Sequence, residues 1–218
     1  MLTRHLPLVF AAAVVLLCVI GFYQLAGNVR TSVAIARFDD EVTRRITAWR
    51  NPALDFLMKV VTYSAGIFGM TVLAFALYLF LRRTGHDPAA GASLFLIIGG
   101  VALADLFKRI LARIRPDEAM ALIRIPASNS FPSGHSMSAL CFSIAAVNAV
   151  MLMPSVVTPL KALICVVALL YTIAVGVSRV YLGVHYPSDV LAAWLLGIAW
   201  AALVLGIYYW YRNYHQQS

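Results

Sequence analysis

Long runs of apolar, uncharged residues divide the chain into six segments, each close to the length of a membrane-spanning helix. They cover residues 6–29, 60–81, 89–104 with an extension through 107, 136–158, 162–178 and 190–211. A helix needs about 20 apolar residues to span the hydrocarbon core of a bilayer. The first run exceeds the roughly 7–15 apolar residues of a signal peptide, so we interpret it as an anchor. The pattern therefore predicts an all-α polytopic membrane protein with six transmembrane helices.

A different pattern occupies the gap between the first two runs. Phe38, Val42, Ile46 and Trp49 recur at steps of four, four and three residues, which places them on one face of a helix. The opposite face is charged, with Asp39, Asp40, Glu41, Arg44, Arg45 and Arg50. Acids in the first turn and arginines further on suit the helix dipole, and Pro52 ends the helix. We expect an amphipathic helix that lies in the plane of the membrane interface.

The composition agrees with a membrane protein. Hydrophobic residues make up 62% of the chain and charged residues 12%, whereas soluble proteins have roughly 45–50% and about 25%. This balance excludes a soluble domain, a disordered chain, a disulfide-linked secreted module and a coiled coil. The three cysteines Cys18, Cys141 and Cys165 lie singly in apolar runs, so we interpret them as small hydrophobic residues.

The formal net charge of +8 indicates an anionic partner, because little of the chain is left to face water. Lipid head groups, phosphorylated lipids and nucleic acid all fit this requirement by charge. The sequence shows no zinc-ligand pattern, RNA-recognition pattern or long basic arm, so no nucleic-acid partner is expected.

The charged residues are unevenly divided between the two faces of the membrane. Each crossing reverses sides, so the loops after the first, third and fifth crossings share one face. The loops after the third and fifth crossings bring the following residues to that face: Lys108, Arg109, Arg113, Arg115, Arg124, Arg179, His185 and Asp189. The positive-inside rule would make this crowded face cytoplasmic. That inference fails if the cations bind phosphate instead.

Three short motifs lie on the crowded face, and the first contains two cations before a proline. Lys108 and Arg115 are seven residues apart, or about two helical turns, so both would lie near one line of a helix that Pro116 ends. Together they could bind two oxygens of one phosphate. The alternative interpretation is a basic cluster that contacts anionic head groups.

The second motif, Pro132-Ser133-Gly134-His135, comes directly before the fourth apolar run. A helix that begins here directs unpaired backbone N–H groups at whatever lies in front of it, which suits a phosphate. Gly134 lets the backbone come close, and Ser133 could cap the helix or donate its hydroxyl to the anion. The alternative is an ordinary helix start with an interfacial histidine.

The third motif extends from Ser178-Arg179 to His185 and Asp189. Pro187 favours the first position of a helix, which places Asp189 in the first turn and His185 just ahead of it. The carboxylate can then bind one ring nitrogen and make the other more basic. Because no activated serine lies between them, His185 itself would be the nucleophile.

With these three motifs, K-x6-R-P, P-S-G-H and S-R-x5-H-x3-D, the chain closely resembles the type 2 phosphatidic acid phosphatase superfamily. Every signature residue and spacing is present. The resemblance covers residues 108–189 by motif and most of the chain by its six-helix organisation. It implies a single membrane-embedded phosphatase domain over residues 1–218, which hydrolyses phosphoesters or diphosphates at the membrane surface without a metal ion or cofactor.

The resemblance also implies a role for each signature residue. His185 attacks phosphorus and forms a phosphohistidine, and Asp189 orients and activates it. His135 protonates the leaving oxygen and then activates the water that hydrolyses the intermediate. The phosphoryl oxygens are held by Lys108, Arg115, Ser133, Gly134 and Arg179.

The implied substrate is a membrane lipid phosphate or diphosphate that enters from the bilayer. Similarity to small bacterial members of the superfamily favours undecaprenyl diphosphate, with phosphatidylglycerol phosphate or phosphatidate as alternatives. The same similarity implies a cell (inner) membrane protein whose active site faces the extracytoplasmic side, against the charge bias. The oligomeric state stays open.

Two functions of other classes remain alternatives, an anion transporter and a non-catalytic head-group sensor. A transporter needs charges or broken helices near the middle of the bilayer, and the last three apolar runs contain none. A sensor has no use for a histidine–aspartate pair.

Overall fold

The structure, a computed structural model, describes residues 2–215, and side chains can be described for residues 5–214. All of the regular structure in this part of the chain is helical. The α-helices are α1 (Leu2–Asn28), α2 (Val33–Thr47), α3 (Pro52–Ser64), α4 (Ile67–Arg83), α5 (Asp87–Leu111), α6 (Gly134–Met151), α7 (Thr158–Tyr181) and α8 (Pro187–His215). A short 3₁₀ turn, Glu118–Met120, lies between α5 and α6.

The predicted all-α fold with six crossings is confirmed, but the second crossing has an unexpected form. Within the described residues, α1, α5, α6, α7 and α8 are each long and apolar enough to span a membrane. Helices α3 and α4, which meet at a bend of 55°, give a sixth candidate span when the bent pair is counted as one. The sequence predicted one continuous helix over residues 60–81, and that detail is wrong.

The bend has a local cause in the residues that join α3 to α4. The backbone N–H groups of Ala65 and Gly66 bond to carbonyls only three residues earlier, so the last turn of α3 tightens and ends. The Ser64 hydroxyl donates to the Val61 carbonyl at 2.7 Å. The carbonyl of Ala65 accepts instead from the Ser138 hydroxyl of α6, at 3.0 Å. The break therefore lies against the first turns of α6.

Helix α2 is the predicted amphipathic helix, but its charged face does not lie wholly in water. It begins at Val33, earlier than predicted, so no acidic residue lies in its first turn. Asp39 was predicted on the charged face and is in fact buried against the start of α8. Arg50, just beyond the helix, donates to the backbone carbonyls of Tyr181 and Met120. These two residues attach the amphipathic segment to the bundle.

Small residues allow the spanning helices to pack closely. A Cβ atom on Gly206 of α8 would lie 2.5 Å from the Cβ of Ala11 in α1, and one on Gly100 of α5 would lie 2.6 Å from the Cys141 sulfur in α6. Small residues at such contacts are typical of packing in membranes, where dispersion contacts take the place of the hydrophobic effect. Cys141 is a buried free thiol, as the sequence predicted for a small hydrophobic residue.

The loop between α5 and α6 packs beneath the segment that joins α7 to α8. The Leu122 N–H donates to the Leu182 carbonyl at 3.0 Å, and Phe131 is fully buried beside Phe22 of α1, with ring centroids 5.8 Å apart. At the crossing point of the two segments, Gly183 has φ +72°. A Cβ there would lie 2.3 Å from the carbonyl oxygen of Met120.

We expect Gly183→Ala to lower the thermal unfolding temperature in detergent much more than Gly85→Ala. Both glycines have positive φ, so alanine costs about 1–2 kcal/mol at either position. Only Gly183 faces a backbone carbonyl, since nothing lies within 4 Å of a Cβ on Gly85. Equal decreases in unfolding temperature would contradict this account of the packing.

Candidate active site

The structure brings all eight predicted site residues together at one end of the bundle. Lys108 lies in the last turn of α5 and Arg115 in the loop that follows; Ser133, Gly134 and His135 begin α6; Arg179 ends α7; His185 and Asp189 flank the start of α8. Four helix ends and two loops therefore contribute. The motifs that are separated in sequence form one cluster.

The histidine–aspartate pair has the predicted geometry. His185 is 1% exposed, and its Nδ1 lies 3.3 Å from Oδ2 of Asp189. Its Nε2 lies 3.1 Å from Nη1 of Arg115. With the proton on Nδ1, the lone pair on Nε2 therefore points toward a cation. An anionic group bound to that cation would lie next to the lone pair.

The environment keeps His185 neutral. Burial is the largest cause and lowers the pKa of His185 to about 3, and Arg179 and Arg115 act in the same direction, although Asp189 opposes them. A neutral imidazole retains the lone pair that a nucleophile needs. His185 is therefore neutral throughout the neutral pH range.

Asp189 is fully buried and is held by several donors. The Ser130 hydroxyl and the Tyr186 backbone N–H, the latter at 2.9 Å, both donate to Oδ2. Oδ1 accepts from Nη1 of Arg113 at 2.6 Å. Neither Ser130 nor Arg113 was predicted as a site residue. The polar run that ends at Ser130 was a weak signal for the first, and Arg113 was indistinguishable from its basic neighbours.

Arg115 reaches the site by a route that the sequence did not predict. The expected helix through Arg115 is wrong, because α5 ends at Leu111 and Ala112 has the left-handed φ of +43°. The following segment is held to the bundle by the Ser130 N–H, which donates to the Arg113 carbonyl at 2.8 Å. From this segment, Arg115 donates to the Val184 carbonyl at 2.7 Å. Burial lowers the pKa of Arg115.

Arg179 is almost fully enclosed, with 2% exposure. Its Nη1 donates to the Thr62 hydroxyl of α3 at 2.6 Å. Its buried Nε has no hydrogen-bond partner among the residues that the structure describes. A buried guanidinium with an unused donor beside other cations is suited to bind an anion. No pattern in the sequence pointed to Thr62.

The start of α6 places a helix N-terminus beside these cations. Ser133 is the N-cap, and its Oγ accepts from the Ser136 N–H at 3.4 Å and from the Ser136 hydroxyl at 2.9 Å. Of the two predicted roles, the structure shows the capping one. A Cβ on Gly134 would lie 3.4 Å from Nζ of Lys108, so the missing side chain leaves the lysine close to the backbone.

His135 lies in the first turn of α6, where the bend between α3 and α4 comes closest to it. A Cβ on Gly66 would be 3.5 Å from Nε2 of His135. The broken second span therefore forms the wall of the site on the side of this histidine.

This site combines buried cations, a helix N-terminus and two histidines at the end of a bundle of membrane-spanning helices. Such a fold and site define a polytopic membrane phosphatase. The chain belongs to the PAP2 superfamily, whose family model matches residues 89–213. It is accordingly a lipid phosphatase, a hydrolase of phosphoric esters.

Three known proteins show the extent of the similarity. Phosphatidylglycerophosphatase B of Bacillus subtilis is 32% identical over 190 residues, which cover 85% of this chain and 90% of that protein. An undecaprenyl-diphosphatase of Sulfolobus acidocaldarius is 32% identical over 126 residues, or 56% of this chain and 55% of its own. The crystal structure of a transmembrane PAP2-type phosphatidylglycerolphosphate phosphatase from Bacillus subtilis aligns with a TM-score of 0.78 and 29% identity, over 88% of this chain and 94% of that one.

Proposed function

We propose that the whole chain acts as one phosphatase domain that removes the terminal phosphoryl group of a membrane lipid through a phosphohistidine at His185, without a metal ion. The observation that carries this proposal is the orientation of the His185 ring. Nδ1 faces the Asp189 carboxylate at 3.3 Å, and Nε2 faces the Arg115 guanidinium at 3.1 Å. A phosphoryl group bound to Arg115 would lie in front of the nucleophilic lone pair.

In the first step, Nε2 of His185 attacks phosphorus, and the bond to the leaving oxygen breaks. His135 donates a proton to that oxygen as it leaves. The charge on the phosphoryl oxygens is stabilised by Lys108, Arg115, Arg179 and the N–H groups at the start of α6. Donors that are oriented in advance can lower the barrier by roughly 3 kcal/mol each.

In the second step, His135 is a base. It removes a proton from a water molecule, which attacks phosphorus, and the N–P bond to His185 breaks. Phosphate leaves, and Nε2 regains its lone pair. Asp189 keeps its hydrogen bond to Nδ1 throughout and stabilises the positive charge that the ring carries while Nε2 is bonded to phosphorus.

The substrate presents its head group at the ends of the helices while its tail stays in the bilayer. Leaving the tail there avoids about 0.8 kcal/mol for each CH₂ that would be exposed to water. Phosphatidylglycerol phosphate is the first candidate, because the relative with that activity in its name matches 85% of the chain. Undecaprenyl diphosphate, which the sequence favoured, is the second, supported by a match over 56%.

The active site faces the extracytoplasmic side of the cell membrane in our proposal, although the cations are concentrated on that face. Many of them are occupied within the protein. Ion pairs join Arg113 to two aspartates, Arg44 and Arg45 to Glu41, and Arg109 to Asp105. The positive-inside rule counts Lys and Arg whether or not acids pair with them, so the charge bias stands and the proposed orientation follows the similarity to the superfamily instead.

Trapping of the intermediate tests the two histidines. With lipid labelled in its terminal phosphate, an alkaline quench should recover labelled wild-type protein and no label on His185→Ala. Both His185→Ala and His135→Ala should lose several orders of magnitude in kcat, whereas His86→Ala, on the opposite face, should not. EDTA should leave the wild-type rate intact. Labelled phosphate bound to His185→Ala, or activity that EDTA removes and magnesium restores, would contradict the mechanism.

A substrate comparison in detergent tests the lipid. Phosphatidylglycerol phosphate and undecaprenyl diphosphate should both be hydrolysed much faster than glycerol phosphate, because only the lipids can leave a tail in the micelle. The ratio of kcat/KM between the two lipids identifies the better one. Equal turnover of glycerol phosphate and the lipids would rule out entry from the bilayer.

Cysteine labelling in intact cells tests the orientation. We expect an impermeant thiol reagent to label Glu118→Cys, which is exposed in the loop before α6, without lysis. Thr84→Cys lies on the opposite face and should be labelled only after lysis. The reverse result would place the active site on the cytoplasmic side.

A further inference from the structure

Two buried carboxylates, joined by a largely enclosed arginine, connect the amphipathic helix α2 to the proposed catalytic pair. The connection runs from Asp39 of α2 through Arg113, in the loop after α5, to Asp189 of α8. We propose that Asp39 and Arg113 are positioning residues, which hold Asp189 in the orientation that aligns His185 for attack. This inference rests on the phosphohistidine mechanism proposed above.

In this group of three side chains, the Arg113 guanidinium bridges the carboxylates of Asp39 and Asp189. Nη1 of Arg113 lies 2.6 Å from Oδ1 of Asp189, and its Nη2 lies 2.8 Å from Oδ2 of Asp39. The three side chains are 11%, 0% and 2% exposed, in the order Arg113, Asp189 and Asp39. Water and salt screen such enclosed ion pairs only weakly. Removal of one member therefore leaves its partner with a charge that neither the protein nor the solvent compensates.

Asp39 also binds the first turn of α8 directly. It accepts from the Ser188 backbone N–H at 2.9 Å and from the Ser188 hydroxyl at 2.6 Å. Nη1 of Arg113 completes the ring by donating to the Ser188 hydroxyl at 2.8 Å. A carboxylate at the N-terminus of a helix is favourable, because it binds free N–H groups. Helix α2 therefore holds the turn that carries Asp189.

The two oxygens of Asp189 have separate functions in this arrangement. Oδ1 is occupied by Arg113, while Oδ2 faces His185 and accepts from Ser130 and from the Tyr186 N–H. Rotation of the carboxylate would break both sets of bonds. By binding Oδ1, Arg113 fixes the orientation of the carboxylate so that Oδ2 faces Nδ1 of His185.

Arg113 is itself held in place and stays charged. Its guanidinium lies over the Tyr186 ring, 4.1 Å from the centroid. Burial would lower the pKa of Arg113, but the Asp189 and Asp39 carboxylates outweigh it and raise that pKa above its ordinary value. Both Nη atoms of the guanidinium donate to protein carboxylates, Nη1 to Asp189 and Nη2 to Asp39. Arg113 therefore acts on Asp189 and not on the substrate phosphate.

The first test compares two acid-to-amide changes on α2, two residues apart. Asp39→Asn removes the charge that balances Arg113, whereas Glu41→Gln changes a partly exposed acid that pairs with Arg44 and Arg45. We expect kcat of Asp39→Asn to fall about tenfold to a hundredfold, since small displacements of a catalytic group have effects of that size. KM should stay unchanged, because the phosphate site is intact. Glu41→Gln should behave as wild type.

The second test keeps the positive charge at residue 113 but removes the planar guanidinium group. Lysine has one nitrogen on a flexible stem in place of the two fixed nitrogens that bind Asp39 and Asp189, so Arg113→Lys cannot hold both carboxylates in the same geometry. Its kcat should also fall about a hundredfold with KM unchanged. Arg109→Lys, which alters an exposed pair with Asp105, is the matched control. The double variant Asp39→Asn/Arg113→Lys should be no worse than the product of the single losses, and better than it if the residues act as one unit.

The folded fraction of each variant is measured by thermal unfolding in detergent, and trapped phosphohistidine is measured alongside kcat. Ser188→Ala is a milder change that keeps every charge, and its kcat should fall severalfold. A normal kcat in folded Asp39→Asn, or a loss confined to KM, would overturn the inference. So would a normal kcat in Ser188→Ala if the charged variants do not fold.

The proposed function and this inference can fail separately. Activity that survives in His185→Ala contradicts the phosphohistidine mechanism itself. If His185→Ala and Asp189→Ala are inactive while Asp39→Asn and Arg113→Lys match their controls, only the positioning role is wrong.

Discussion

The rest of the candidate active site depends on one buried carboxylate. Asp189 has no exposed surface, so its charge requires compensation from donors within the protein. Separate parts of the chain supply these donors: Arg113 and Ser130 from the loop between α5 and α6, and the His185 ring and the Tyr186 N–H from the segment before α8. Satisfying this one charge brings together the segments that carry the first and third motifs, and so it also assembles the site.

The cations of the site, unlike Asp189, lie near like charges and have no carboxylate bonded to them within the described part of the chain. Lys108, Arg115 and Arg179 are partly or wholly buried near one another, and like charges in such surroundings repel. Neutral oxygen acceptors hold the two arginines: the Val184 carbonyl for Arg115 and the Thr62 hydroxyl for Arg179. The repulsion that remains favours a bound anion, and an anion that binds only the folded protein stabilises it.

The bend in the second span connects the membrane-embedded part of the fold to its chemistry. The break at Ala65–Gly66 interrupts backbone bonding inside an apolar segment, which membrane proteins tolerate where neighbouring groups satisfy the freed atoms. Here the Ser138 hydroxyl of α6 does so. Gly66, at this break, lies beside His135, and Thr62, near the end of α3, bonds to Arg179. The bent pair thus forms one wall of the candidate site.

The sequence by itself determined the apolar segments of the spans, the amphipathic helix and the three motifs, because each is encoded by local periodicity or by residues at short spacing. It could not predict that α5 ends at Leu111, since this depends on the Ser130 N–H pairing with Arg113 from the other end of the loop. Nor could it predict the burial of Asp39, whose partner Ser188 is 149 residues away. Only the tertiary structure decides such features, because a charged residue on a helix reads as exposed until a distant segment supplies its partner.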